Sequence, residues 1–170
     1  PPHPSPLTLA LCVANTYCSP MTIRSRLNQT SFANPADEAV VGILMVAAEV
    51  NREFAELCQG HGITLEQYNV LRILRGAKDA GLPRCEVAGR MITRAPDVTR
   101  MMDRLVKQGL VVRTWGTENR RHSIAKVTPE GLAVLAALDP HVAELNAKVA
   151  SQVGAEELPL LIGMLNRMLP

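Results

Sequence analysis

Between Leu82 and Gly131 the hydrophobic periodicity changes twice, and this stretch limits the possible folds more than any other. Residues Arg84 to Met91 (RCEVAGRM) place Val87, Ala88 and Met91 at helical spacing. Ile92-Thr93-Arg94-Ala95 makes a short turn, and Pro96 stands at a first helical position, where its missing N–H costs nothing. From Pro96 to Gln108 (PDVTRMMDRLVKQ), Val98, Met101, Met102 and Leu105 recur at three- and four-residue steps, with Arg100, Arg104 and Lys107 on the other face. Gly109 stops that helix, and the period then drops to that of strands. Leu110 to Trp115 and Ser123 to Val127 are strand-like, joined by a tip, Gly116 to Arg121. Thr128-Pro129-Glu130 restarts a helix with a cap, an N1 proline and an early acid. A helix pair followed by a basic hairpin can lay one helix in a major groove while the hairpin approaches beside it.

The charge distribution agrees. The chain of 170 residues has a formal net charge of only +2, yet residues 61 to 131 hold thirteen Lys and Arg against seven Asp and Glu, a net +6. The segments on either side are each net −2. Positive charge is thus gathered where a polyanion would be approached, although a solvated basic face has the same composition. Aromatic residues make up 3% of the chain, so the core must be aliphatic, which favours packed helices over a sheet sandwich.

The remaining segments read as scaffold. Residues 1 to 20 carry no charged side chain and five prolines. Leu7 to Ala14 has the length of a signal core but lacks a preceding cation, so residues 1–34 are expected to be a disordered or non-native extension, with Met21 the natural start. Asn34-Pro35-Ala36-Asp37 opens a helix whose Val40, Ile43, Leu44, Ala47, Val50, Phe54 and Leu57 keep helical spacing until Gly60 and Gly62. Thr64 and Gln67 have the spacing of a capping box at the start of the next helix. After Thr128, Leu135, Leu138, Val142, Leu145 and Val149 form a heptad seam suited to helix-to-helix packing, with Pro140 expected to kink or break it near Asp139. Gly154 separates a last apolar helix. No run of eighteen apolar residues occurs.

In order along the chain, ITLEQYNVLRIL, PRCEVAGRM, VTRMMDRLVKQGLV and NRRHSIAKVTPEG resemble the corresponding segments of the MarR (multiple antibiotic resistance regulator) family of bacterial transcription factors. With the flanking helices the resemblance spans about Asp37 to Leu169. It implies a mainly α fold with a small β-hairpin wing. Residues 35–62 would be an N-terminal dimerisation helix, 63–131 a winged helix-turn-helix DNA-binding domain and 132–170 the C-terminal dimerisation helices. The implied protein is a cytoplasmic, nucleoid-associated homodimer that binds a pseudopalindromic operator in double-stranded DNA as a repressor, released by an aromatic or phenolic effector. Arg94, Pro96, Asp97, Thr99 and Arg100 would lie near the groove, and Arg104 and Lys107 nearer the backbone. Arg100 is the candidate for a bidentate contact to guanine, unless it pairs with Asp97 or Asp103 on a solvated face. Asp97 could accept from a cytosine amine or simply cap the helix. Arg120 and Arg121 would bring the wing to a minor groove, with Arg84, Arg113, Arg120 and Lys126 on phosphates. Family members carry an Asp two residues before the wing arginine, where this chain has Asn119 before Arg121; Asp103 could replace it. An effector pocket is implied near Phe54, Tyr68 and Leu71.

Other chemistry is thinly represented. Four cysteines show no paired spacing, Cys58-Gln59-Gly60-His61 has no second ligand pair, and no nucleophile–base grouping can be argued, so neither catalytic residues nor a metal or other cofactor is expected. Two other functions stay open at this point. One is a winged-helix protein-interaction module that does not touch DNA. The other is a thiol-based redox sensor or enzyme using Cys58 or Cys85.

Overall fold

A computed structural model describes residues 22–92, 97–115 and 123–169. Its contacts divide the chain into two compact units, Pro1–Ala48 and Glu49–Pro170. This division falls inside the segment 35–62.

The first unit contains a one-turn helix, α1 (Ile23–Arg26), and the beginning of α2 (Pro35–Gly60). Thr22 and Ser25 form a reciprocal capping box around the start of α1. Arg24 grips Glu38 with both Nε and Nη2, at 2.9 and 2.6 Å. The Ile23 side chain lies so close to Gly42 that a Cβ there would collide with it. Asn34 accepts from the Asp37 N–H at 3.0 Å, which caps α2. The composition of residues 1–34 predicts an irregular extension; within their described portion, from residue 22 on, lies a capped helix tied to α2. Residues 1–21 lie outside the described set.

The second unit is built around α3 (Leu65–Ala77), which buries Tyr68, Val70, Leu71 and Leu74. The predicted capping box is present: Thr64 accepts from the Gln67 N–H, and the Gln67 side chain accepts from the Thr64 N–H. A 3-10 turn, Lys78–Ala80, leads to β1 (Leu82–Pro83), and then follow α4 (Arg84–Arg90), α5 (Val98–Lys107), β2 (Val111–Trp115) and β3 (Ser123–Val127). The sheet is antiparallel in the order β1-β3-β2, with Leu82 opposite Ala125 and Val111 opposite Val127. The two-residue β1 is too short to leave a periodic signal, so the sequence predicts only its partner strands. Gly81, with φ +63°, lets the chain pass against the Ala125 carbonyl.

The long α6 (Pro129–Val153) and α7 (Leu158–Met168) complete the chain. Helix α6 runs through Pro140 as one element, so of the expected kink or break the break is absent. The apolar seam is also divided in its use. Leu135, Leu138 and Val142 are buried in the core of this unit, whereas Leu145 and Val149 are half-buried. Part of the seam therefore packs inside one chain, against α3, and a bidentate Arg75–Asp139 pair (2.7 and 3.1 Å) sits beside it. Among the described residues no helix is long and apolar enough to cross a membrane.

The wing and α6 are joined by one residue. The Thr128 N–H donates to the Leu110 carbonyl at 3.1 Å, and its hydroxyl donates to the Gly109 carbonyl at 2.7 Å. The same hydroxyl accepts from the Gly131 N–H, capping α6. Gly131 is pressed against the Leu110 carbonyl with no room for a Cβ. Gly131→Ala is therefore expected to lower unfolding free energy by about 1–3 kcal/mol, read from urea denaturation midpoints.

Candidate nucleic-acid interface

The candidate reading surface follows from the burial of α5. Val98, Met102 and Leu105 are 7%, 1% and 0% exposed, each contributing on the order of 1.5–3 kcal/mol by leaving water. Anchoring that stripe turns Thr99, Arg100, Arg104 and Lys107 to solvent. The helix starts later than its sequence suggests. Asp97, not Pro96, sets its beginning: the Asp97 carboxylate accepts from the Arg100 N–H at 3.0 Å as an N-cap, and Val98 is the first helical residue. Pro96 and Arg94 lie outside the described residues.

Three polar ties brace this helix. Arg84, on α4, donates from Nη1 to the Thr99 hydroxyl at 2.8 Å. Asp103 receives Arg113 from β2 at 2.6 Å. The Arg100 Nε lies 3.0 Å from the second carboxylate oxygen of Asp97. Of the two carboxylates three residues from Arg100, Asp97 is thus the one that meets it, while Asp103 serves the hairpin. The Arg113 side chain is 23% exposed and engaged with Asp103, which makes it a brace of the wing as well as a candidate phosphate contact. Lys126 is half-buried on β3. Arg120 and Arg121, with Asn119, fall outside the described residues. Asn69 carried no sequence signal: its side-chain oxygen accepts from the Ile92 N–H at 3.4 Å, so α3 holds the backbone just after α4. A lone polar residue on the half-buried side of a helix carries no periodic signal that could have marked it.

The residues expected around an effector behave differently. Tyr68 and Leu71 are 3% and 0% exposed within the core, and Phe54 packs against the same cluster. A separate groove of about 390 Å³ lies between the end of α2 and α6, lined by Glu53, Glu56, Leu57, His141, Glu144, Leu145 and Lys148. Lys148 and Glu53 pair there at 2.6 Å. None of the three expected residues lines this groove.

The two described cysteines have contrasting settings. Cys58 is fully buried and Cys85 is exposed at the start of α4. Burial, helped by the nearby Glu66 charge, pushes the Cys58 thiol up to about 11, against an ordinary value of 9.0. At neutral pH it therefore stays protonated and is shielded from solvent, a setting that disfavours thiolate chemistry. Among the described residues no group of three or more His, Cys, Asp or Glu could hold a metal ion.

This arrangement is that of a winged helix-turn-helix. Comparison with known proteins identifies the group within that class: a family model described as the MarR family matches residues 63–123. A solved MarR transcription factor from Planctomyces limnophilus is 31% identical and superimposes with a TM-score of 0.62, over 80% of this chain and 98% of that one. A cysteine-to-serine mutant of Escherichia coli MarR, solved in complex with operator DNA, is 29% identical with a TM-score of 0.68, over 75% and 91% of the two chains. The transcriptional repressor YetL of Bacillus subtilis is 27% identical over 129 residues, 75% of this chain and 77% of that protein. The chain belongs to the MarR family and is a DNA-binding transcription regulator.

The contrast between the thiols can be tested directly. In the native protein an alkylating reagent at pH 8 should label Cys85 and spare Cys58, as mapped by mass spectrometry, until denaturant is added. The folded chain holds the Cys58 proton that the unfolded chain releases, so stability should fall as pH rises from about 9 to about 11, and Cys58→Ala should weaken that fall.

Proposed function

We propose that the protein acts as a homodimeric repressor, binding a pseudopalindromic operator in duplex DNA and leaving it when a small aromatic or phenolic effector is bound. The observation that carries the DNA contact is the two-faced α5. Its buried stripe fixes the rotation of the helix, and that rotation presents Thr99, Arg100, Arg104 and Lys107 together. In this reading Arg94, Pro96, Asp97, Thr99 and Arg100 stand at the groove, Arg104 and Lys107 meet the backbone, and Arg84, Arg113 and Lys126 flank it. Arg120 and Arg121 carry the wing to the adjacent minor groove. The likeness to an operator-bound relative and to a repressor supports both the mode of contact and its outcome.

The dimer reading rests on uncovered apolar surface. Val40, Leu44 and Val46 on α2 are 56%, 64% and 61% exposed. On α7, Leu160, Ile162 and Met168 are 63%, 55% and 63% exposed, and no residue of that helix is buried. Faces of this size on terminal helices are typical of surfaces covered by a second copy. The groove between α2 and α6, with Leu57 and Leu145 for apolar contact and His141 as a polar partner beside the Lys148–Glu53 pair, is the candidate effector space.

Two measurements test these statements. Binding of a fluorescent duplex should weaken steeply with salt, and Arg104→Ala or Lys107→Ala should each reduce the salt slope by about 1 while weakening all sequences alike. Duplex affinity insensitive to both substitutions would rule out this face. Leu160→Glu with Ile162→Glu should convert the protein to monomers in sedimentation velocity and lower operator affinity at least tenfold; dimers of unchanged strength would remove α7 from the interface.

A further inference from the structure

We infer that Asp97 is a positioning residue that sets base specificity by holding Arg100, and that it is not itself a reader of bases. The inference rests on the proposed contact of α5 with the major groove. Both oxygens of the Asp97 carboxylate are committed to residue 100. One accepts from the Arg100 N–H at 3.0 Å, and the other lies 3.0 Å from Arg100 Nε. A single carboxylate therefore caps the start of the helix and forms an ion pair at the root of the guanidinium.

The consequence for Arg100 follows from the shape of its head group. With Nε held on the protein side, the two Nη atoms remain as an end-on fork, and the side chain is 81% exposed. Neither Nη has a hydrogen-bond partner among the described residues. Two parallel donors match the N7 and O6 acceptors of guanine; adenine offers N7 but places an amine donor at the second position. A free arginine would sample many rotamers and settle as readily on a phosphate; a tethered one loses less entropy when it meets the base edge.

The neighbouring contact points the same way. Thr99 accepts from Arg84 at 2.8 Å, so its hydroxyl hydrogen is the part left to offer. The exposed first turn of α5 therefore presents donors, and the one carboxylate that could accept from cytosine or adenine is engaged within the protein. Asp97 also sets a negative charge near the phosphates, which weakens binding to any sequence. Its two effects have opposite signs: it lowers general affinity and raises discrimination at one base pair.

That pair of signs is testable with Asp97→Asn and Asp97→Ser, both of which keep an N-capping side chain while removing the charge. Affinities would be measured for a duplex recovered by selection from a random pool, for single-base variants of it, and for a scrambled duplex. The base pair read by Arg100 is the one at which Arg100→Ala loses discrimination, and the wild type should discriminate there by about 5- to 150-fold. Both Asp97 variants should bind the scrambled duplex as well as or better than the wild type. Their discrimination should fall at least about threefold at that pair and stay unchanged elsewhere. In an Arg100→Ala background, Asp97→Asn should change discrimination no further. Retained discrimination in both variants, or a loss spread evenly over all pairs, would overturn the inference. Failure of the wild type to bind any duplex at low salt would instead remove the DNA contact on which it rests.

Discussion

The structure depends first on the sidedness of α5. Val98, Met102 and Leu105 can leave water only against α3, α4 and the sheet, so the helix has one rotational setting, and every exposed side chain on it inherits its direction from that setting. The polar ties then refine what burial has fixed. Asp97 defines the first turn, Arg84 reaches Thr99, and Asp103 joins the helix to β2 through Arg113. Hydrophobic burial supplies most of the energy. The ties, being at least partly exposed, contribute little stability and act mainly by limiting the orientations of the side chains on the outer face of α5.

The lobe is not mechanically separate from the long helices. Thr128 and Gly131 join Gly109 and Leu110, the residues that lead into β2, to the first turn of α6, and Leu135, Leu138 and Val142 carry that helix along α3. Arg75 and Asp139 connect the same two helices at their surface. A change in the setting of α6 therefore bears on α3, and α3 also holds Ile92, just after α4, through Asn69. The groove between α2 and α6 borders this connection.

Much of this was legible in the chain because its signals are local and repeated. The three- and four-residue steps of Val98 to Leu105, the Thr64 and Gln67 capping spacing, and Thr128-Pro129-Glu130-Gly131 each specify backbone geometry over a single turn or two. What escaped were contacts between distant positions or choices between equivalent neighbours. Asp97 and Asp103 are both three residues from Arg100, and only the position of β2 assigns Asp103 to Arg113. Pro96 and Asp97 both suit a helix start, and the cap went to the residue whose oxygen reaches the Arg100 N–H. Pro140 has the character of a helix breaker, but a proline removes one donor, and packing on both sides of it holds α6 together. Tyr68 and Leu71 have the character of pocket walls, and their helix, covered on several sides, buries both in the core.

Sequence selection from a random duplex pool, carried out with the intact chain, tests the account most directly. A dimer that presents two α5 helices should recover an inverted repeat whose half-sites lie about one helical turn, or roughly 10–10.5 base pairs, apart. Recovery of isolated half-sites, or of no shared sequence at low salt, would contradict it.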